Sequence, residues 1–234
     1  MHELKKAVQL IEKAEGLLIM AGAGIGVDSG LPDFRGNRGF WCAYPALGRQ
    51  KISFEAMTDP SVFATNPRRA WGFYGHCLQL YRNAIPHVGF QILLAWAKRM
   101  QHGAYVYTSN LDGQFQKAGF DALHIVECHG SIHYLQCTRP CSASIWSAEN
   151  LSLDIDIKEC LLRSALPECP HCGALARPNV LLFNDWPWIS SRTDGQEQRY
   201  SMWRKKVRRL LIIEIGAGVD LLPSGARAKR SQRQ

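Results

Sequence analysis

Apolar residues along this chain follow a helical rhythm that repeatedly gives way to short unbroken runs. Leu4, Ala7, Val8, Ile11 and Ala14 recur at helical spacing, and Gly16 ends that period before the compact run Leu17-Leu18-Ile19-Met20. The pattern predicts a helix, a turn and a buried strand. Downstream, an apolar helical stretch over residues 90–100 precedes a strand over 104–108, and a short helix after Asp112 precedes a strand over 124–127. Residues 179–183 and 210–215 read as two further buried strands, with a polar helix over 194–209 between them. Strands without polar alternation, separated by helices, imply an α/β protein with a parallel sheet covered on both faces.

Two stretches interrupt this rhythm. Residues 36–85 are rich in aromatics, glycine and proline and predict a helical and loop insertion, while 131–177 carry paired cysteines and little periodicity. The expected organisation is one domain over 1–218 that contains both insertions, followed by a basic, disordered tail over 219–234. With 234 residues, 46% of them hydrophobic, the chain is long enough for one sizeable core. No apolar run approaches membrane-spanning length. Ala21-Gly22-Ala23 mimics a signal-cleavage site, but Glu12 and Glu15 precede it, so the segment reads as an amphipathic helix and the expected location is cytoplasmic.

Charge and cysteine spacing narrow the chemistry. Of the net charge of +8, four charges come from Arg227, Lys229, Arg230 and Arg233 in the tail, where a solvated end is the simplest reading. Cys137-x3-Cys141 and Cys169-x2-Cys172 supply four thiolates for a closed tetrahedral zinc site, structural because no ligand position stays open. Between the two pairs, Lys158 and Arg163 are outnumbered by Glu149, Asp154, Asp156, Glu159 and Glu168, which argues against a nucleic-acid-binding zinc ribbon.

Three phrases carry the remaining chemistry. Ala21-Gly22-Ala23-Gly24-Ile25-Gly26 follows the first strand, where glycines let a backbone turn tightly and approach a pyrophosphate. Alone, that turn is explained equally well as a plain strand-to-helix connection. It leads into Ser29-Gly30-Leu31-Pro32-Asp33-Phe34-Arg35-Gly36; the later phrases are Thr108-Ser109-Asn110-Leu111-Asp112-Gly113 and His129-Gly130, each just past a strand. In this order, over roughly residues 4–218, the chain resembles the sirtuins, which are NAD-dependent protein-lysine deacylases with a Rossmann-type doubly wound sheet and a small zinc-binding insertion.

The resemblance implies roles residue by residue. Gly22, Ala23 and Gly24 would lie at the NAD phosphates, and Asp33, Phe34 and Arg35 would form the loop over the nicotinamide end. Asn110 would orient a water and the ribose, beside Ser109, which stands where the family has glutamine, and Asp112 would hold the carboxamide. His129 would be the general base, a task that suits an imidazole titrating near neutrality. Gly216, Ala217 and Gly218 would form a second cofactor-binding turn. Val180, Phe183 and Asn184 would meet an extended acyl-lysine peptide, with Asn184-Asp185 replacing the family's glycine-glutamate. Tyr74 would line the acyl site; Cys77 occupies the position of the arginine that pairs with acidic acyl groups, so acetyl removal is expected over succinyl removal.

After Gly218 the sequence stops resembling the family, and a truncated or frame-shifted end is expected to weaken adenine binding and expose the sheet edge. Ser109 and that short end keep open an NAD- or ADP-ribose-binding remnant without full activity. Protein ADP-ribosylation ranks below deacylation because His129 is present.

Overall fold

The computed structural model describes residues 2–32 and 36–217, with the backbone alone for residue 2 and residues 36–38. In chain order the first elements are α1 (His2–Lys13), β1 (Gly16–Ala21) and a 3-10 helix (Ala23–Ser29). A helical segment follows: α2 (Gly36–Ala43), α3 (Pro45–Arg49), α4 (Phe54–Met57), α5 (Ser61–Thr65), α6 (Pro67–Asn83) and α7 (Val88–Ala97). Then come β2 (Ala104–Thr108), α8 (Gln114–Lys117), β3 (Ile125–Glu127), β4 (Gly130–Cys137), β5 (Ile145–Ser147), β6 (Ile155–Asp156), β7 (Leu161–Leu162) and β8 (Ala176–Val180). The last are α9 (Ser191–Lys206) and β9 (Leu210–Ile215). No helix among the described residues is long and apolar enough to cross a membrane.

The expected parallel sheet is present, in the order β3-β2-β1-β9 with every pair parallel. Alternate residues of β1 divide between its faces, as a period of two requires. Leu17, Ile19 and Ala21 pack with Phe90 and Leu93 of α7 and Phe115 of α8. On the opposite face Leu18 joins Tyr105, Val126, Trp203 of α9 and Val207. Because β2 and β9 flank β1 on opposite sides, the chain reverses its direction of travel across the sheet there. Crevices at such a reversal, beyond the carboxyl ends of the strands, are where open α/β sheets bind ligands.

Two sequence expectations change in the structure. The strand expected over 179–183 is β8, which ends at Val180 and pairs antiparallel with β4 in a second sheet of order β5-β4-β8. Its apolar run misled because β8 is buried along its whole length, Arg177 included. Of the apolar stripe, Ile11 of α1 and Ala14 just past it pack against the core, while Leu4 and Val8 are exposed.

Residues from the helical segment and from the second sheet share one core, in which Phe40, Trp71, Leu78, Ile132, Leu135 and Leu162 all take part. The Trp71 indole N–H donates to the Ala176 carbonyl at 2.9 Å. Gly72 lies so close to the Cys160 carbonyl that a Cβ there would stand 2.3 Å from its oxygen. Arg82 donates to the carbonyls of Ala148 and Leu151. These contacts fasten α6 across the second sheet module.

Beyond β8 the chain turns sharply. Asn184 adopts a left-handed φ of 57°, a conformation asparagine tolerates better than most residues, which accounts for its use where the sirtuin pattern has glycine. Asp185 then reaches back to Arg177 in a bidentate pair of 2.7 and 2.8 Å and accepts the Leu182 N–H at 3.1 Å. Both side chains are buried, at 2% and 0% exposure. Removing one partner strands a buried charge, so Asp185→Ala should lower the unfolding free energy in urea by about 3–5 kcal/mol. The double variant Arg177→Met/Asp185→Leu should regain most of that loss, whereas equal losses in both would mean the packing, not the charge, is what matters.

Candidate active site at the carboxyl ends of the parallel strands

The turns after β1 and β9 interlock. The Gly22 N–H donates to the Ile215 carbonyl at 3.0 Å and the Gly24 N–H to the Gly216 carbonyl at 2.9 Å. A Cβ on Gly22 would stand 2.8 Å from the Gly216 oxygen, and one on Gly216, whose φ is +67°, would stand 2.1 Å from the Ile25 nitrogen. Neither position admits a side chain. Ala23 opens the 3-10 helix between them, and Ala217 is exposed beside Gly216. The 3-10 helix is pinned by His87, whose Nε2 lies 2.9 Å from the Ile25 carbonyl while Nδ1 accepts the Gly89 N–H at 3.0 Å. Nothing in the sequence around His87 marks it for this position.

From the end of β2, the Ser109 N–H donates to the Ala21 carbonyl and the Asn110 side-chain amide to the Gly22 carbonyl at 3.1 Å. Both Asn110 and Asp112 are buried. Asp112 Oδ1 accepts the Gln114 N–H at 2.9 Å, and Oδ2 faces Gly26 in the turn after β1. Burial, opposed by that hydrogen bond and reinforced by the Glu127 carboxylate, raises the Asp112 carboxyl to about 6. His133 Nε2, 3.0 Å from the Asp112 carbonyl, supports the same turn.

His129 follows β3. Desolvation lowers its pKa below the ordinary value of 6.5, and a hydrogen bond with the Ser109 backbone draws it partly back. The ring is therefore neutral at physiological pH, the state a base requires. Gly130, at φ +76°, leaves room for the Asn179 carbonyl, 2.1 Å from where a Cβ would sit, so glycine is obligatory after this histidine.

A network absent from the sequence reading holds β3 in place. Glu127 is fully buried; Arg192 and Gln196 of α9 bind its carboxylate, Gln196 also accepts its N–H at 3.0 Å, and the Thr193 hydroxyl donates to its carbonyl at 3.1 Å. Arg192 lies over the Tyr134 ring at 4.2 Å. The available signal was a carboxylate closing an apolar strand just before His129.

The substrate-side residues are placed less uniformly. Val180 is buried beside Gly130. The N–H groups of Leu181, Leu182 and Phe183 are taken by the His129 carbonyl, Asp185 and the Thr58 carbonyl, so these amides do not offer the expected pairing to a peptide. Phe183 is half exposed and, with Asn184, Met57, Val62 and Asp59, lines a cavity of about 530 Å³. Tyr74 does not line it: its ring stacks on Phe63 and its hydroxyl donates to the Met57 carbonyl, behind the cavity wall. Asp33, Phe34, Arg35 and Gly218 lie outside the described residues.

The four cysteine sulfurs all lie within 4.8 Å of one another, with Cys137–Cys172 and Cys141–Cys169 each at 3.7 Å. A zinc tetrahedron with ~2.3 Å arms has edges of ~3.8 Å, so this donor set fits. The tight turn at Arg139 and Pro140, closed by the Cys141 N–H on the Arg139 carbonyl, absorbs the third intervening residue. Against desolvation, the backbone N–H groups of His171 and Cys172 draw the Cys169 thiol down to about 7, while burial pushes Cys137 up and the Cys172 thiol pushes Cys141 up.

Known proteins resemble this chain. An NAD-dependent protein deacylase of Pyrococcus furiosus is 32% identical over 182 residues, covering 78% of this chain and 66% of its own length. Its counterpart in Thermococcus sibiricus is 31% identical, with 78% and 65% covered. The chain thus spans a little under two thirds of the length of these relatives. A mutant Sir2 homologue solved with 2′-O-acetyl ADP ribose superposes at a TM-score of 0.68 with 25% identity, covering 95% of this chain and 78% of that one. The sequence pattern of the Sir2 family matches residues 22–202, from the first glycine turn into α9. Over most of its length, and through the strands that bring Gly22, Asn110 and His129 together, this chain belongs to the Sir2 family.

Proposed function

We propose that the chain is an NAD-dependent protein-lysine deacylase, most active on acetyl groups, that releases nicotinamide and O-acyl-ADP-ribose. The observation that carries this reading is the meeting of Gly22, Asn110, Asp112, His129 and Gly216 at one crevice, with a desolvated, neutral imidazole among them. NAD supplies an electrophilic ribose carbon once nicotinamide departs. The turns of Gly22, Ala23 and Gly24 and of Gly216 and Ala217 hold its phosphates and ribose; Gly218, Asp33, Phe34 and Arg35 join them by family resemblance. Asp112 accepts the carboxamide N–H, Asn110 and Ser109 orient the ribose and a water, and His129 takes the proton from a ribose hydroxyl. Phe183 and Asn184 receive the acyl-lysine protein, with Val180 supporting them, and Tyr74 shapes the acyl site indirectly through Met57. Cys77, pushed up to about 12 by burial, is an uncharged thiol and offers an acidic acyl group no partner. Free cysteines throughout fit a reducing compartment, and we place the protein in the cytoplasm, free of membrane and nucleic acid.

With purified protein, NAD and an acetyl-lysine peptide, His129→Ala should slow deacetylation by about 10²–10⁴-fold. An unchanged rate would remove His129 from the mechanism. Neutral His129 and ionised Asp112 are both lost as pH falls, so kcat/KM should drop on the acid side of about pH 6. In Asp112→Asn any residual activity should show an acid limb of single-proton slope, set by His129 alone.

Cys137, Cys141, Cys169 and Cys172 hold zinc in a structural role in this reading, with no position left for substrate. Elemental analysis should find about one zinc per chain. Chelation or Cys169→Ser should lower the melting temperature and release the metal, and a zinc-free protein of undiminished Tm would contradict the assignment.

A further inference from the structure

Strand β4 does not run smoothly along β8. Ser131 pairs with Asn179 and Leu135 with Pro178, the neighbouring residue, so the register shifts across Ile132, His133 and Tyr134. Extra residues of this kind bend a strand and re-aim its side chains, a device common beside active sites. Here each of them meets the elements that carry the crevice. The Ile132 N–H donates to the Leu111 carbonyl at 3.3 Å, and His133 Nε2 lies 3.0 Å from the Asp112 carbonyl. The Arg192 guanidinium that binds Glu127 lies over the Tyr134 ring.

His133 is fitted closely to the turn after β2. Gly113 is left-handed at φ +69°, and a Cβ there would stand 2.9 Å from His133 Nε2, so the imidazole fills the space a side chain would need. Burial lowers the His133 pKa, so near neutral pH the ring carries one proton, which sits on Nε2 because a carbonyl can only accept. The Ala148 N–H donates to the His133 carbonyl at 2.9 Å and holds the donor's own backbone. Past Gly113, Gln114 donates to the Tyr81 carbonyl and Lys117 to those of Arg82 and Ala84, which anchors α8 to the end of α6. The Asp112 peptide lies between these two anchors, and its carboxylate is held at Oδ1 by the Gln114 N–H, with Oδ2 facing Gly26.

We propose that His133 is a positioning residue for the nicotinamide end of NAD: it fixes the Asp112 main chain, and with it the carboxylate, in the attitude that receives the carboxamide. The role rests on Asp112 receiving that carboxamide, as proposed above. Through His133 the second sheet sets the geometry of a group carried by the parallel one. Such a role has a signature that a general contribution to folding lacks, because ADP-ribose keeps the adenine, phosphates and riboses of NAD but has no nicotinamide.

Isothermal titration of NAD and of ADP-ribose into the full chain tests the proposal, with ADP-ribose binding also reporting that each variant is folded. His133→Ala should raise the dissociation constant for NAD by about threefold to tenfold, the effect of one lost hydrogen bond, and leave that for ADP-ribose unchanged. His133→Gln, whose side-chain amide can donate from nearly the same place, should restore most of the NAD affinity. In an Asp112→Ala background, adding His133→Ala should weaken NAD no further, since the group being positioned is gone. Unchanged NAD affinity in His133→Ala would overturn the proposal. Equal losses for NAD and ADP-ribose, an equal loss in His133→Gln, or a full further loss in the Asp112→Ala background would overturn it too, by reducing His133 to packing. A wild-type chain without measurable affinity for NAD would overturn the reading of Asp112 as well, and titration of the unaltered protein separates that failure from the failure of His133 alone.

Discussion

The candidate site depends on one close approach, that of the turn after β1 to the turn after β9. Backbone meets backbone there at distances no Cβ would permit, and the two hydrogen bonds from Gly22 and Gly24 tie the two turns together. Parallel pairing sets this up. The registers of β1 with β2 and β9 bring three carboxyl ends to one level, and β3 adds a fourth. Asn110 then spends its amide on the Gly22 carbonyl, so the asparagine and the glycine turn act as one rigid unit.

Buried charge is the second theme. Asp185 with Arg177 and Glu127 with Arg192 are each close to His129, one through the segment whose Leu181 N–H binds the His129 carbonyl, the other through β3 itself. Buried ion pairs add little net stability compared with apolar residues of similar size, but they penalise any arrangement that separates them. Their effect here is to restrict how the histidine can be presented. The same low-dielectric surroundings that hold the imidazole neutral also raise the Asp112 carboxyl, so acid and base character at this site arise from burial more than from neighbouring charge.

Much of this was legible in the sequence. Periodicity and short apolar runs bounded by turn residues located α1, β1, β2, β3 and β9, while α9, expected as a polar helix over 194–209, lies over Ser191–Lys206. The cysteine spacing picked out four sulfurs that the fold brings together, and the glycine, asparagine and histidine phrases picked out turns that it brings to one end of the parallel sheet. What stayed hidden depended on tertiary context. The apolar run after Arg177 looks the same whether its strand joins the parallel sheet or pairs antiparallel with β4, and only packing decides. Arg177, Glu127 and Arg192 read as ordinary charges until their burial is seen. The exposed Leu4 and Val8 reverse the simplest reading of an amphipathic stripe, and Tyr74 is withdrawn from the cavity by its contact with Met57, which spacing alone does not reveal.

The account's central claim is that an acyl group leaves lysine and ends on ADP-ribose at this crevice. Mass spectrometry of a single reaction, following peptide, nicotinamide and nucleotide products together, tests it most directly. The account predicts equal molar amounts of nicotinamide, deacylated peptide and O-acyl-ADP-ribose at every time point. A peptide that gained ADP-ribose while keeping its acyl group, or NAD that bound without any turnover, would contradict it.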